Sequence, residues 1–458
     1  MIGGRALKQT RKEILPGVHL NHIQTDKFKI AVMSISLLAQ LERETASMNA
    51  LIPYVLRRGT AHYGDIEKIS NRLDELYCAT IDPIVRRIGE IQCVGLLASY
   101  PEDAWLPEGE AVAKDTVGLL CEMLINPMTR GGLLLRSYVE SERGKLADVI
   151  RSRINEKGVY AVTRCIEEMC CFEDYSVGRY GSAEDCEAVK YKKLTQQYHT
   201  LLETAPIEIF YCGSQPVKTV AGWLKDALCT MPRGEINYEI GTDVRMNSVE
   251  EEPRIYTETL DVTQGKLVIG FRLGECMEDP DFPALYVFND LFGGSPSSRL
   301  FLNVREKLSL CYYASSIIDV RKGLLLVSSG IQEKNYDAAK EEIFSQLEAL
   351  QRGEITEEAL ETARSGVASD LRSIPDTQSA LESFFLAQAV TGADFGPLEL
   401  AELVTEVSAD RVQAVAQSVE CDQIYLLKAF PQEAEGEAAV SGDSGEVNAE
   451  VAEAGETA

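Results

Sequence analysis

Histidine is scarce in this chain: His19, His22, His62 and His199 are the four in 458 residues. A zinc enzyme needs several imidazoles, thiolates or carboxylates converging on one ion, so few ligand sets are open. Basic residues are also short, 45 Lys and Arg against 72 Asp and Glu, a net charge of −27. That field repels phosphate backbones and anionic headgroups, which argues against nucleic acid or a membrane surface as partner and favours neutral or cationic peptides. No apolar run approaches the roughly 18 to 20 residues of a membrane helix. The opening "MIGGRALKQTRKEIL" has early positive charge but no apolar stretch after it, so no signal peptide is expected. The twelve cysteines lack the spacing of a disulfide framework, which points to reduced thiols and a cytoplasmic location.

What is present is the composition of a globular protein, 45% apolar and 26% charged, long enough for two domains. Strand-like and helix-like segments alternate from about 18 to 230, with helices expected near 46–57, 64–76, 107–125, 131–155 and 188–203 and a late strand in "IEIFYCG". Residues 232–253 are polar, carry Pro and Gly and lack periodicity, the pattern of a linker. The same grammar then returns, with a helix at about 280–292, another ending near Arg305, and the hairpin-like "LCYYASSIIDVRKGLLLVSSG". Ala50-Leu51 followed by Gly59 matches Ala284-Leu285 followed by Gly293, and "ELYCATI" parallels "SLCYYAS". A duplication at an interval of 234 residues follows. The expected fold class is α+β, two homologous α/β domains over 1–231 and 254–430, with a disordered acidic tail at 431–458 holding eight acids and no Lys or Arg.

Candidate sites are few. His19 and His22, three apart in an expected strand, point to opposite faces; His62 and His199 read as surface or half-buried imidazoles. Cys165, Cys170 and Cys171 read as small buried hydrophobes. The glycines of "LFGGSPSSRLF" lack the Gly-Lys-Ser/Thr ending of a phosphate-cradling loop. "ALIPYVLRRGT" places Pro53 inside an expected helix, where it removes an amide donor and costs roughly 3 kcal/mol. Arg305 and Tyr312 stand seven apart at a helix end and a strand start. A guanidinium fork and a phenol can together hold a peptide carbonyl and stabilise a developing oxyanion; the plain alternative is a surface Arg beside a core Tyr.

The string "GGSPSSRLFLNVREKLSLCYY" resembles the second-domain signature of the insulinase and pitrilysin family of zinc peptidases, which includes mitochondrial processing peptidase and its bacterial relatives. The resemblance covers nearly all the chain before the tail and implies a pair of homologous α+β domains. Zinc-bearing members carry His-x-x-Glu-His on a first-domain helix, then Gly-Thr. Anchored on Gly59-Thr60, those positions fall on Ala50, Pro53 and Tyr54. Of the family's later carboxylates, Glu142 matches the outer one and Val149 stands where the metal ligand should be. The resemblance therefore implies no metal in this chain, and a zinc-less, non-hydrolytic subunit that keeps the substrate-gripping pair as Arg305 and Tyr312. Zinc is expected on a homologous partner subunit that closes against it around a peptide substrate. The alternative it leaves open is an inactive peptide-binding or assembly protein of the same fold.

Overall fold

The computed structural model describes residues 9–430; the acidic tail lies outside them. Two sheets organise the chain. The first is built from β1 (Gln9–Leu15), β2 (Val18–Gln24), β3 (Ile30–Gln40), β4 (Thr80–Ile88) and β5 (Ile91–Pro101). A two-strand ribbon, β6 (Thr129–Arg130) and β7 (Leu133–Leu134), stands apart, and β8 (Ile207–Gly213) completes the sheet in the order β1-β2-β8-β3-β5-β4. The second uses β9 (Arg254–Leu260), β10 (Gly265–Arg272), β11 (Cys311–Asp319), β12 (Leu324–Ile331) and β13 (Glu420–Ala429) in the order β11-β12-β10-β13-β9.

Laid side by side, the sheets follow one path. β2 pairs parallel with β8 as β9 does with β13. β8 pairs antiparallel with β3 as β13 does with β10. The hairpin of β4 and β5 corresponds to that of β11 and β12. Within the two large sheets, β1 is the one described strand without a counterpart.

Helices α1 (Arg43–Leu56), α2 (Ile66–Glu75), α3 (Ala113–Ile125), α4 (Arg136–Ser152), α5 (Lys157–Met169), α6 (Ala183–Ala188), α7 (Tyr191–Thr204) and α8 (Val217–Ala227) belong to the first half. The second half holds α9 (Pro283–Asn289), α10 (Tyr336–Gln351), α11 (Glu357–Ser373), α12 (Gln378–Thr391), α13 (Pro397–Thr405) and α14 (Ala409–Ser418). The expected helix 131–155 gives up its start because Gly131 and Gly132 adopt φ of 63° and 76° and turn the ribbon instead. The expected helix 107–125 begins only at Ala113, where the Asp103 carboxylate accepts from the amides of Val112 and Ala113 at 2.8 and 3.1 Å. Beyond α9 the chain continues in π-helical turns at Asp290–Gly294 and Leu300–Lys307. Periodicity of 3.6 does not distinguish these from ordinary helix.

One face of each sheet packs on helices of its own half, around Ile35, Leu51 and Leu120 in the first and Phe271, Phe288 and Leu350 in the second. The opposite face of each is covered by a helix from the other half. α5 lays Ala161, Cys165 and Met169 on Val268, Leu326 and Tyr425. α12 returns the exchange with Leu381 and Phe385 on Ile23 and Phe210, and Leu386 and Ala387 on Leu38 and Cys93. Gly270 marks how closely α5 approaches, since a Cβ there would lie 2.5 Å from Met169 Sδ. Each large apolar side chain so covered is worth roughly 1.5–3 kcal/mol, so the crossing helices bind the halves together.

Polar groups reinforce the join. Lys322, on the turn between β11 and β12 and fully buried, reaches Glu90 at 2.6 Å and Glu173 at 2.7 Å. Arg272, equally buried, pairs with Glu173 at 2.6 Å and Asp422 at 2.9 Å. From α12, the buried Glu382 accepts from Ser34 Oγ at 2.7 Å and pairs with Arg86.

Candidate functional site

The segment "ALIPYVLRRGT" forms the end of α1. Pro53 stands one turn from the end of the helix rather than in its middle. Its own carbonyl accepts from the Arg57 amide at 3.1 Å. The basic pair after it anchors the helix end on both sides. Arg57 Nε donates to the Ile81 carbonyl on β4 at 2.7 Å. Arg58 Nη1 pairs with Glu142 of α4 at 3.1 Å, its guanidinium 5.1 Å from the Tyr138 ring centre. Positive charge just past the last turn also suits the helix dipole.

The matched metal positions hold no ligand set. Ala50 and Pro53 are buried, Tyr54 is half-buried, and Val149 is 48% exposed. Burial first, then Tyr180 beside it, pushes the Tyr54 hydroxyl well above its ordinary range, so it stays a protonated phenol near neutral pH. Glu142, the one carboxylate retained, is occupied by Arg58 and by Lys145 at 2.8 Å. Among the described residues no group of three or more His, Cys, Asp or Glu is arranged to hold a metal ion. An alkyl pair, a pyrrolidine ring and a neutral phenol do not fit zinc.

The histidines are dispersed. His19 Nδ1 stands 3.5 Å from Glu208. His22 is buried, its Nε2 2.9 Å from the Gln215 carbonyl oxygen, and stacks on Tyr211; desolvation holds its pKa down. His62 meets Glu122 at 2.9 Å near the surface. Of the thiols expected inside, Cys165 and Cys170 are buried and their pKa values are raised by desolvation, whereas Cys171 is exposed and accepts from Arg254 at 3.5 Å. The end of α5 at Met169 turns Cys171 outward, which spacing alone does not reveal.

Arg305 and Tyr312 sit on either side of one chain reversal. Arg305 ends the π-helical turn, 40% exposed, with its guanidinium 4.5 Å from the Phe301 ring centre and 3.5 Å from Glu306. The chain turns back through Ser309 at φ 49°, and the Leu310 amide donates to the Val304 carbonyl at 3.0 Å. Tyr312 then falls on a β-bulge, because Cys311 pairs with Ile331 and Tyr313 with the adjacent Gly330. A bulge re-aims a side chain. Tyr312 is 62% exposed, and its hydroxyl accepts from Gln332 Nε2 at 3.3 Å. Both groups are open to solvent, Tyr312 on the edge strand β11, so Tyr312 is not the core residue of the plain alternative.

The sequence profile described as Peptidase M16 inactive domain matches residues 188–367. The probable inactive metalloprotease YmfF of Bacillus subtilis is 28% identical over 414 residues, 90% of this chain and 96% of that protein. Residues 188–367 thus carry the inactive domain of the M16 peptidases, and over nearly its whole length the chain is similar to a probable inactive metalloprotease. A second relative, the uncharacterized zinc protease YmxG of Bacillus subtilis, is 29% identical over 190 residues, 40% of this chain and 46% of that protein. A conserved protein from Enterococcus faecalis V583 superposes with a TM-score of 0.83 at 25% identity, covering 93% of this chain and 99% of that one. The same fold is that of a peptidase M16 inactive domain from Pseudomonas fluorescens, which superposes with a TM-score of 0.74 at 14% identity, covering 93% of this chain and 99% of that one. Among the described residues no helix is long and apolar enough to cross a membrane.

Composition and motif reading passed over the buried charges joining the halves and a group of arginines beside Tyr180. Neither has a local signature: Lys322 and Glu90 are 232 residues apart.

Proposed function

We propose that this chain is the zinc-less subunit of a two-chain M16 peptidase, holding a peptide while a homologous partner supplies the metal. Arg305 binds a carbonyl oxygen of the peptide through its fork of donors. Tyr312 donates its hydroxyl proton in a hydrogen bond to the oxygen that gains charge as the bond is attacked. The observation that supports this reading most is the contrast within one molecule. The positions of the metal motif carry Ala50, Pro53, Tyr54 and Val149, while Arg305 and Tyr312 stand exposed together on either side of one reversal. The Bacillus subtilis relatives bear names of both kinds, an inactive metalloprotease and a zinc protease, which is consistent with division of labour between subunits.

Mixing tests it. The chain is combined with a zinc-bearing homologue from the same genome, and hydrolysis of a quenched fluorescent peptide is followed. Activity requiring both chains is expected, with losses of about 10²-fold or more in Arg305→Ala or Tyr312→Phe. Full activity of the zinc-bearing chain alone, or undiminished turnover with both variants, would overturn the proposal in favour of a binding or assembly role.

A further inference from the structure

A cavity of about 1060 Å³ opens between the end of α4, α5 and the loop 176–185, with Arg43, Arg153, Tyr160, Gly178 and Glu258 among its walls. Five acids line it: Glu167, Glu168 and Glu258 all pair with Arg164, Asp185 accepts from Ser182 Oγ at 2.7 Å, and Glu184 has no ion-pair partner among the described residues. The Arg153 guanidinium lies 4.9 Å from the Tyr180 ring centre, and Arg179 lies 5.0 Å from the same ring. Among the described residues neither arginine has a carboxylate within 4.0 Å, and the Nε of Arg179 is buried without a partner. A third arginine, Arg87, faces them from β4, donating to the Tyr175 carbonyl at 2.8 Å. Burial, then Arg179 and Arg87, pulls the Arg153 pKa down.

Like charges gathered in a half-buried place disfavour the folded chain unless something offsets them. In a protein of net charge −27, with five acids lining the same cavity, it is unusual that none of them is paired with Arg153 or Arg179. The donors are of the kind that take oxyanions in bidentate fashion. Arg153 also lies one helical turn beyond Val149, so the cationic group stands next to the place where the metal ligand is missing.

We propose that Arg153, backed by Arg179 and Tyr180, forms an oxyanion-binding site that takes a carboxylate or phosphate group of a ligand seated in this cavity. The site stands independently of any partner subunit and of Arg305 and Tyr312.

The test is thermal unfolding and calorimetric titration of the full chain at fixed ionic strength, with inorganic phosphate, with a tri-glutamate peptide, and with chloride as control. Saturable binding of phosphate or of the peptide, with a matching rise in Tm, is expected; which of the two binds identifies the source of the anion. Arg153→Gln and Arg179→Gln should each weaken that binding tenfold or more, and Arg153→Lys less than Arg153→Gln. Without ligand, Arg153→Gln should unfold at or above the wild-type temperature, since it relieves repulsion. No saturable binding of either probe, equal binding in the variants, or a ligand-free Tm lowered by Arg153→Gln would overturn the site.

Discussion

Lys322 Nζ stands 2.6 Å from the carboxylate of Glu90, so the turn of the β11–β12 hairpin is clamped to the turn of its counterpart, β4–β5. The same ammonium reaches Glu173 at 2.7 Å. Lys322→Met removes one cation, leaving the buried Glu90 without a charge partner and Glu173 with Arg272 alone. A cost of about 3–5 kcal/mol is expected, read as a lower midpoint in urea unfolding. An unchanged midpoint would show that the clamp contributes nothing.

Glu173 also predicts a pH dependence. Burial alone would raise its pKa, but hydrogen bonds from Arg272 and Lys322 outweigh it and hold the carboxyl below its ordinary 4.5. A group whose folded pKa is depressed adds stability that is full above the unfolded value and is lost as pH falls through the folded one. Stability should therefore decline as pH drops below about 4.5. Glu173→Gln should flatten that part of the profile while lowering the plateau at neutral pH.

Gly270 tests the crossing of α5. Valine at this position would press on Met169 Sδ, which already lies 2.5 Å from a Cβ built there. Gly270→Val is expected to cost about 1–3 kcal/mol. Gly270→Ala should cost less, because a methionine side chain can give way. Hydrogen exchange should show the added opening in α5 and β10 first.

Arg305→Ala and Tyr312→Phe should leave the fold nearly untouched. Both side chains are substantially exposed, and neither is tied into the core. Unfolding free energies within about 0.5 kcal/mol of wild type are expected. Loss of partner-dependent turnover without loss of stability would then belong to the site.

Much of the first half was legible because its signals are local. Apolar spacing located α1, α2 and α7 to within a few residues, and "IEIFYCG" coincides with β8. The seven-residue interval between Arg305 and Tyr312 was readable, but the β-bulge that turns Tyr312 outward depends on its pairing with β12. Cys171 shows the converse: its spacing from Cys165 says nothing about which side of a helix end it leaves.

The sequence by itself determined the repeated α+β grammar, the absence of a histidine-rich ligand set, and the replacement of the metal motif by Ala50, Pro53, Tyr54 and Val149. The first two follow from residue chemistry and short-range periodicity, and the third is what the family resemblance implies. Only the tertiary structure decided that α5 and α12 cross to the opposite sheets, that Lys322 meets Glu90, and that Arg153 and Arg179 stand together over Tyr180 without an acid. The reason is physical: burial and charge pairing depend on distance in space, and residues 232 apart in the chain carry no local mark of the neighbour that folding gives them.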